Sequence, residues 1–383
     1  MHNQQAVMQP PRVTYSATDH SADALYLARA HVPDAFLAVE YAGNRIGLFG
    51  ALEYGRMEKS GVFTHVLSLE EYYEKTREVF DIENPGPGDL LAVLAMDLEV
   101  ESVLVGSDFP AIALRQAEER ELPVDIAEGP LFPERQIKND YEAGQIRLGN
   151  EAACAGFAEV ERMLAAASVG QGGVLMLDGE PLTSERMHRA IALACINRNA
   201  FAFNTIVAGG DQGCDPHCEG SGPLKAGELI VVDIFPRLDK SGYYGDMTRT
   251  YLKGSPSAEQ RRLVETVAEG QKLALGKLCD GADGKAIHYA VTDFFTAKGY
   301  PTEKRQGRSV GFFHGLGHGL GLDIHEAPRM NRSGALLAAG NVVTVEPGLY
   351  YAGLGGCRIE DNVRVTKTGY ELLSQHPYDW VIE

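Results

Sequence analysis

Four acidic side chains interrupt four apolar, strand-like runs in the C-terminal part of this 383-residue chain. They are Asp233 in LIVVDIF, Asp246 in GYYGDMTRTYL, Glu346 after NVVTV, and Glu360 in GCRIEDNVRVT. A carboxylate in such a run is expected to be buried, and a buried carboxylate without a partner is costly. Asp233 and Asp246 stand thirteen residues apart across a turn from Pro236 to Gly242. A hairpin of that spacing can set the two carboxylates side by side on neighbouring strands. Alone they would repel; a divalent cation between them turns the repulsion into coordination. The run HGLGHGLGLDIHEAP, from His314 to Pro328, adds three imidazoles set among glycines. Four carboxylates with an imidazole form an oxygen-rich donor set. It suits two Mn²⁺, Co²⁺ or Zn²⁺ ions sharing bridging carboxylates, and it lacks the thiolates of a structural zinc site.

Other readings of the same stretches fit less well. Gly315, Gly317, Gly319 and Gly321 alternate, whereas a dinucleotide-binding G-x-G-x-x-G loop needs glycine where Leu320 stands, and no βαβ pattern surrounds the run. The glycines are expected instead to let backbone approach cation and substrate closely. Cys214 and Cys218 flank His217, but the second half of a zinc knuckle is missing. No G-x-S-x-G nucleophile elbow occurs.

The elements that must position these groups follow from periodicity. In the first third, AFLAVE and RIGLFG predict strands and LEEYYEKTREVF a helix. GDLLAVLAMDL predicts a helix, ESVLVG a strand, PAIALRQAEER a helix and LPVDIA a strand. That is a small α/β domain ending near Gly129-Pro130, with PLFPERQIKNDYEAG as the linker and a boundary at residues 134/135. Helices are expected over about 140–167, from Thr183 or Ser184 to about Asn197, and over 257–278 and 284–298. Strand-like runs follow each helical pair, so the C-terminal part reads as helices then strands, twice over.

Composition excludes several classes of partner. Lys and Arg number 35 against 53 Asp and Glu, a formal charge of −18, and so acidic a surface repels nucleic acid and anionic membranes. The opening MHNQQAVMQPPR has no signal-peptide core, and no segment reaches the ~20 apolar residues of a membrane helix. Six scattered cysteines read as reduced thiols of a cytoplasmic protein.

The histidine run, together with VVDIF, GDMTRT, VEPGLY and RIEDNV in this order, resembles the signature of the pita-bread metallopeptidases. Within that family it is similar to the proline-directed branch that holds aminopeptidase P and prolidase. The resemblance covers about Lys138 to the end, and the N-terminal third has the size of the family's creatinase-like accessory domain. It implies an α/β (α+β) chain with a pita-bread catalytic domain over 135–383 behind an accessory domain over 1–134. It also implies that Asp233, Asp246, His318, Glu346 and Glu360 hold two metal ions, Mn²⁺ first, with Co²⁺ or Zn²⁺ as alternatives. Asp246 and Glu360 would bridge the ions, and Glu346 would also shuttle the proton of the attacking water. By the same resemblance His217 and His325 contact substrate and stabilise the transition state, and His314 and Arg358 line the site. In this chain the first motif continues Asp-Ile-Phe-Pro-Arg where the family has a small residue and glycine.

The implied activity is hydrolysis of the bond before proline in peptides, and the implied assembly is the homodimer common among relatives. An Xaa-Pro nitrogen carries no N–H, so a dedicated pocket must replace strand pairing. His314 with Phe312 or Phe313 are candidate walls of that pocket. By the same resemblance Arg329, in HEAPR, falls where some prolidases place an arginine for a free proline carboxylate, which favours an Xaa-Pro dipeptidase over an aminopeptidase P acting on Xaa-Pro-Yaa. The reading from another class is a creatinase-like non-peptidase hydrolase or a metal-free binding module; all five metal positions being filled argues against it.

Overall fold

The computed structural model describes residues 9–383 and divides the chain into two compact units, Met1–Arg135 and Gln136–Glu383. Most of the opening polar stretch, residues 1–8, on which the expectation about a signal peptide rests, lies outside the described residues.

The first unit is a six-stranded mixed sheet. Its spatial order is His65–Ser68, Asn44–Phe49, Phe36–Tyr41, Arg12–Ser16, Val103–Val105, Val124–Ile126. Its helices are α1 (Ala22–Ala28), α2 (Ala51–Ser60), α3 (Leu69–Phe80), α4 (Pro87–Asp97) and α5 (Ala111–Glu119). Helix α4 is apolar all round, and its residues from Gly88 to Ala95 are buried, as such a pattern demands. Pro87 occupies the first turn of α4, where its missing N–H costs nothing. Helices α1 and α2 are not apparent from apolar periodicity. Helix α1 has two turns, and α2 buries only Met57.

The second unit repeats one design. Helices α6 (Asp140–Ala166) and α7 (Ser184–Ile196) pack on a sheet ordered Ile206–Gly209, Ile230–Ile234, Met247–Lys253, Val381–Ile382. Helices α8 (Ala258–Leu275) and α9 (Gly284–Ala297) pack on a second sheet. Its order is Glu326–Met330, Gly317–Gly319, Val342–Val345, Asp361–Val365, Tyr370–Leu372. Each half has its own apolar core, and the sheets meet at the bridge Thr248↔Glu360. Helix starts follow their caps: Asn139 with Glu142 and Ser257 with Gln260 form reciprocal capping boxes, and Thr183 caps α7. The stretch expected as a linker is structured at its C-terminal end, where Ile137 bridges Asn341 and Lys138 is buried. Among the described residues all six cysteines are free, and no helix is long and apolar enough to cross a membrane.

Candidate metal centre and substrate cavity

The first half-sheet carries two of the four acids. Asp233 lies directly opposite Ile206 on one neighbouring strand and Thr248 on the other. Because Ile234 pairs with Met247, Asp246 sits diagonally from Asp233 on the same face, not opposite it. Helix α6 fixes Asp246: its N–H donates to Asn150 Oδ1 at 2.9 Å. This needs bare backbone on both sides, since a Cβ on Gly149 would lie 2.4 Å from the Gly245 nitrogen. Glu360 enters from the second half, its N–H on the Thr248 carbonyl at 3.1 Å and its carboxylate accepting from Thr248 Oγ1 at 2.7 Å.

His318 lies mid-strand between two glycines, Gly317 and Gly319. A Cβ on Gly317 would stand 2.0 Å from the Thr344 carbonyl oxygen, and one on Gly319 2.2 Å from that of Ala327. These glycines let neighbouring strands close around the imidazole, and Gly317, with Gly315, also lines the cavity described below. Glu346 follows the strand Val342–Val345, with its N–H on the Leu316 carbonyl at 2.9 Å.

Donor atoms of Asp246, His318 and Glu360, all buried, lie within 4.8 Å of one another. His318 Nε2 is 3.6 Å from Asp246 Oδ2 and 3.5 Å from Glu346 Oε1. His318 Nδ1 donates to the Gly319 carbonyl at 3.1 Å, an assignment that follows from the acceptor it meets. Burial, then the neighbouring His325, lowers the imidazole's pKa to about 3. A neutral ring with its proton on Nδ1 therefore turns its Nε2 lone pair toward two carboxyl groups. Burial, followed by the other acids, raises Asp246 and Glu360 well above the carboxylate range; burial brings Glu346 to about 7. Asp233 accepts from Arg358 at 2.8 Å on Oδ2, while its buried Oδ1 has no partner. Converging lone pairs, crowded carboxylates and an orphaned oxygen share one remedy, a divalent cation, and the hard donor set fits it.

These groups line a cavity of about 510 Å³. His217, His314, His325, Arg329 and Arg358 line it too, so the structure brings together every acidic, basic and imidazole site residue read from the sequence. Their situations differ. His217 is exposed on the loop after Asp215, and the His325 ring stands perpendicular to that of His318, 4.4 Å away. Arg329 is exposed on the strand next to His318. Arg358 is buried and divides its guanidinium among Asp233, Tyr350 Oη at 3.0 Å and Thr248 Oγ1 at 3.2 Å. Its contacts are thus to the centre's own scaffold. His314 donates from Nδ1 to the Gly315 carbonyl at 2.8 Å and accepts at Nε2 from Tyr350 Oη, also at 2.8 Å. Burial and the Arg358 charge lower its pKa to about 3, so it is a neutral wall.

The aromatic walls expected beside His314 lie elsewhere. Phe312 is 2% exposed and packs edge-on behind His314, 5.1 Å away, because its ring belongs to the core of the second half; neither it nor Phe313 lines the cavity. The apolar lining comes instead from Ile206, Pro216, Phe235 and Ile324. Phe235 is the departure noted in Asp-Ile-Phe-Pro-Arg, and its position two residues past Asp233 was the signal available. Thr248, Tyr350 and Asn150, which orient the charged groups, gave no signal, since each is ordinary in its element.

Comparison with known proteins agrees with this geometry. The profile of metallopeptidase family M24 matches residues 144–367. A putative dipeptidase, YkvY, of Bacillus subtilis is 33% identical over 309 residues, covering 79% of this chain and 78% of that relative. An Xaa-Pro dipeptidase of Pyrococcus furiosus is 37% identical over 176 residues, 45% of this chain; the match spans about half that relative's length, 48%. The structure of X-Pro aminopeptidase from Thermotoga maritima superposes with a TM-score of 0.78 at 22% identity, covering 97% of both chains, a likeness that shows the fold. Fold, donor set and profile lead to one assignment: the chain belongs to metallopeptidase family M24 and has its pita-bread fold.

Proposed function

We propose that this protein is a metal-dependent Xaa-Pro exopeptidase that hydrolyses the bond before proline, acting foremost as an Xaa-Pro dipeptidase. The observation that carries the reading is the cluster of four acids and His318 facing a cavity that also presents three further imidazoles and Arg329. Asp233, Asp246, His318, Glu346 and Glu360 would hold two divalent ions, Mn²⁺ before Co²⁺ or Zn²⁺, with Asp246 and Glu360 shared. Bound there, the ions would supply Lewis acidity, making water a nucleophile at neutral pH and polarising the scissile carbonyl.

The chain's own residues do the rest. The Glu346 carboxylate, raised to about 7 by burial, is suited to accept a proton from water and return it to the leaving nitrogen. His325 and His217 donate hydrogen bonds to the substrate and to the developing oxyanion. His314, held neutral and fixed through Tyr350, offers a flat uncharged face to the pyrrolidine ring. Arg329 places a cation at the cavity for the free carboxylate of a terminal proline.

A substrate-length series tests the reading. Metal-loaded protein is expected to cleave Xaa-Pro faster than Xaa-Pro-Yaa, and Arg329→Ala to cost about 10-fold or more on Xaa-Pro while sparing the longer peptide. Equal losses on both would remove Arg329 as carboxylate partner and favour the aminopeptidase P reading. A creatinase-like hydrolase or binding module would cleave neither.

A further inference from the structure

Lys138 is a cation in the interior, with 2% of its side chain exposed, and its ammonium is ion-paired with Glu326, itself 10% exposed, from 188 residues further along. No step proposed above uses either residue. The Lys138 N–H donates to the Gly340 carbonyl at 2.8 Å, and Asn341 Nδ2 donates to the Gln136 carbonyl at 3.0 Å. These bonds fix Lys138 beside the strand Val342–Val345, which leads to Glu346.

Glu326 follows His325 and opens the strand Glu326–Met330, opposite Gly319. The register then slips, so that His318 faces Arg329, and the loop between Leu320 and His325 emerges from this irregular pairing. The Glu326 carboxylate lies under the loop's first turn: a Cβ on Gly321 would stand 2.7 Å from its Oε1. The Gly321 carbonyl accepts from the Tyr244 N–H at 2.9 Å, which fastens the other end. Successive side chains of an extended strand point to opposite sides. Holding Glu326 inward therefore turns His325 toward the cavity. Removal of the ammonium would take away the charge that draws the Glu326 carboxylate inward, loosening the start of the strand and the His325 beside it.

We propose that the Lys138–Glu326 ion pair is a positioning device that holds the His325 imidazole on the cavity side of its loop. This rests on the reading that His325 contacts substrate. The test compares K138M and E326Q with the parent protein, with and without H325A. Readouts are kcat and KM on an Xaa-Pro dipeptide at saturating Mn²⁺, metal stoichiometry, and hydrogen exchange of residues 320–327 in metal-free protein. Expected are a loss of about 10–100-fold in kcat/KM, unchanged stoichiometry, and faster exchange confined to that loop. In the H325A background neither variant should cost more activity, because the residue they act through is gone. Should K138M fail to fold, E326Q, which keeps the side chain's shape, carries the comparison. Unchanged exchange in the loop, or the same further loss in the H325A background, would overturn the proposal. Absence of any Xaa-Pro cleavage by the parent protein would instead count against the peptidase reading, and the exchange measurement would still decide the role of the ion pair.

Discussion

Arg358 touches Asp233 and, through Thr248, reaches the carboxylate of Glu360. Buried among acids, it partly offsets the repulsion that desolvation sharpens, acting against the rise of Asp246, Glu346 and Glu360. Replacement by Met is expected to destabilise the metal-free protein by about 3–5 kcal/mol, the cost of leaving one partner of a buried pair alone; denaturant unfolding would measure it. Asp246→Asn and Glu360→Gln are each expected to lower bound metal and to cut activity about 100-fold or more. Metal content by mass spectrometry checks this, and full occupancy in either variant would contradict their role as shared ligands. The acids were legible because each breaks an apolar run, and His318 because it sits in a dense histidine run. Thr248, Tyr350 and Asn150 were not. Their work depends on partners brought near by the fold, such as Asn150 on Asp246, 96 residues away.

Among the elements, α6 and the strand Met247–Lys253 depend on each other at Gly149 and Gly245. A Cβ on Gly245 would stand 2.2 Å from the Gly149 carbonyl carbon, which is backbone and cannot step aside. Gly245→Ala is therefore expected to cost at least about 1–3 kcal/mol of stability and to displace Asp246, lowering metal affinity as well. Thermal unfolding with and without Mn²⁺ would show both effects; an unchanged melting temperature would mean that the helix does not set the position of Asp246. Long helices with caps were readable, since α6, α8 and α9 combine an apolar stripe with Asn139, Ser257 and Asp283 at their starts. Helix α1 carried a weaker sign, the Ser21 cap accepting from Ala24 N–H, in a segment too short to show periodicity. Helix α2 exposes Leu52 and buries only Met57, so its apolar residues mark no single face. The contact between Gly149 and Gly245 was beyond reach, because a lone glycine in a helix pattern does not say what approaches it.

For the whole molecule, crowded acids make stability depend on pH and metal together. Carboxylates raised on folding hold protons that the unfolded chain releases, so metal-free stability falls as pH rises through their folded pKa values. His314 and His318, lowered from 6.5 to about 3, act the other way, but only below about 6.5. Between pH 6.5 and 8 the acids alone remain, Glu346 near 7 and Asp246 and Glu360 also raised. Over that window the melting temperature of chelator-treated protein is expected to drop, and Mn²⁺ to raise it most at pH 8. A flat profile, unmoved by metal, would contradict the account of the cluster. The central claim is metal-dependent cleavage before proline. Its most direct measurement is the release of free proline from an Xaa-Pro dipeptide, beside Xaa-Ala, by chelator-stripped protein before and after Mn²⁺ is restored. The account predicts no release from stripped protein, release from Xaa-Pro once metal is restored, and little cleavage of Xaa-Ala. Metal-loaded protein that leaves Xaa-Pro intact, or stripped protein that cleaves it, would contradict the account.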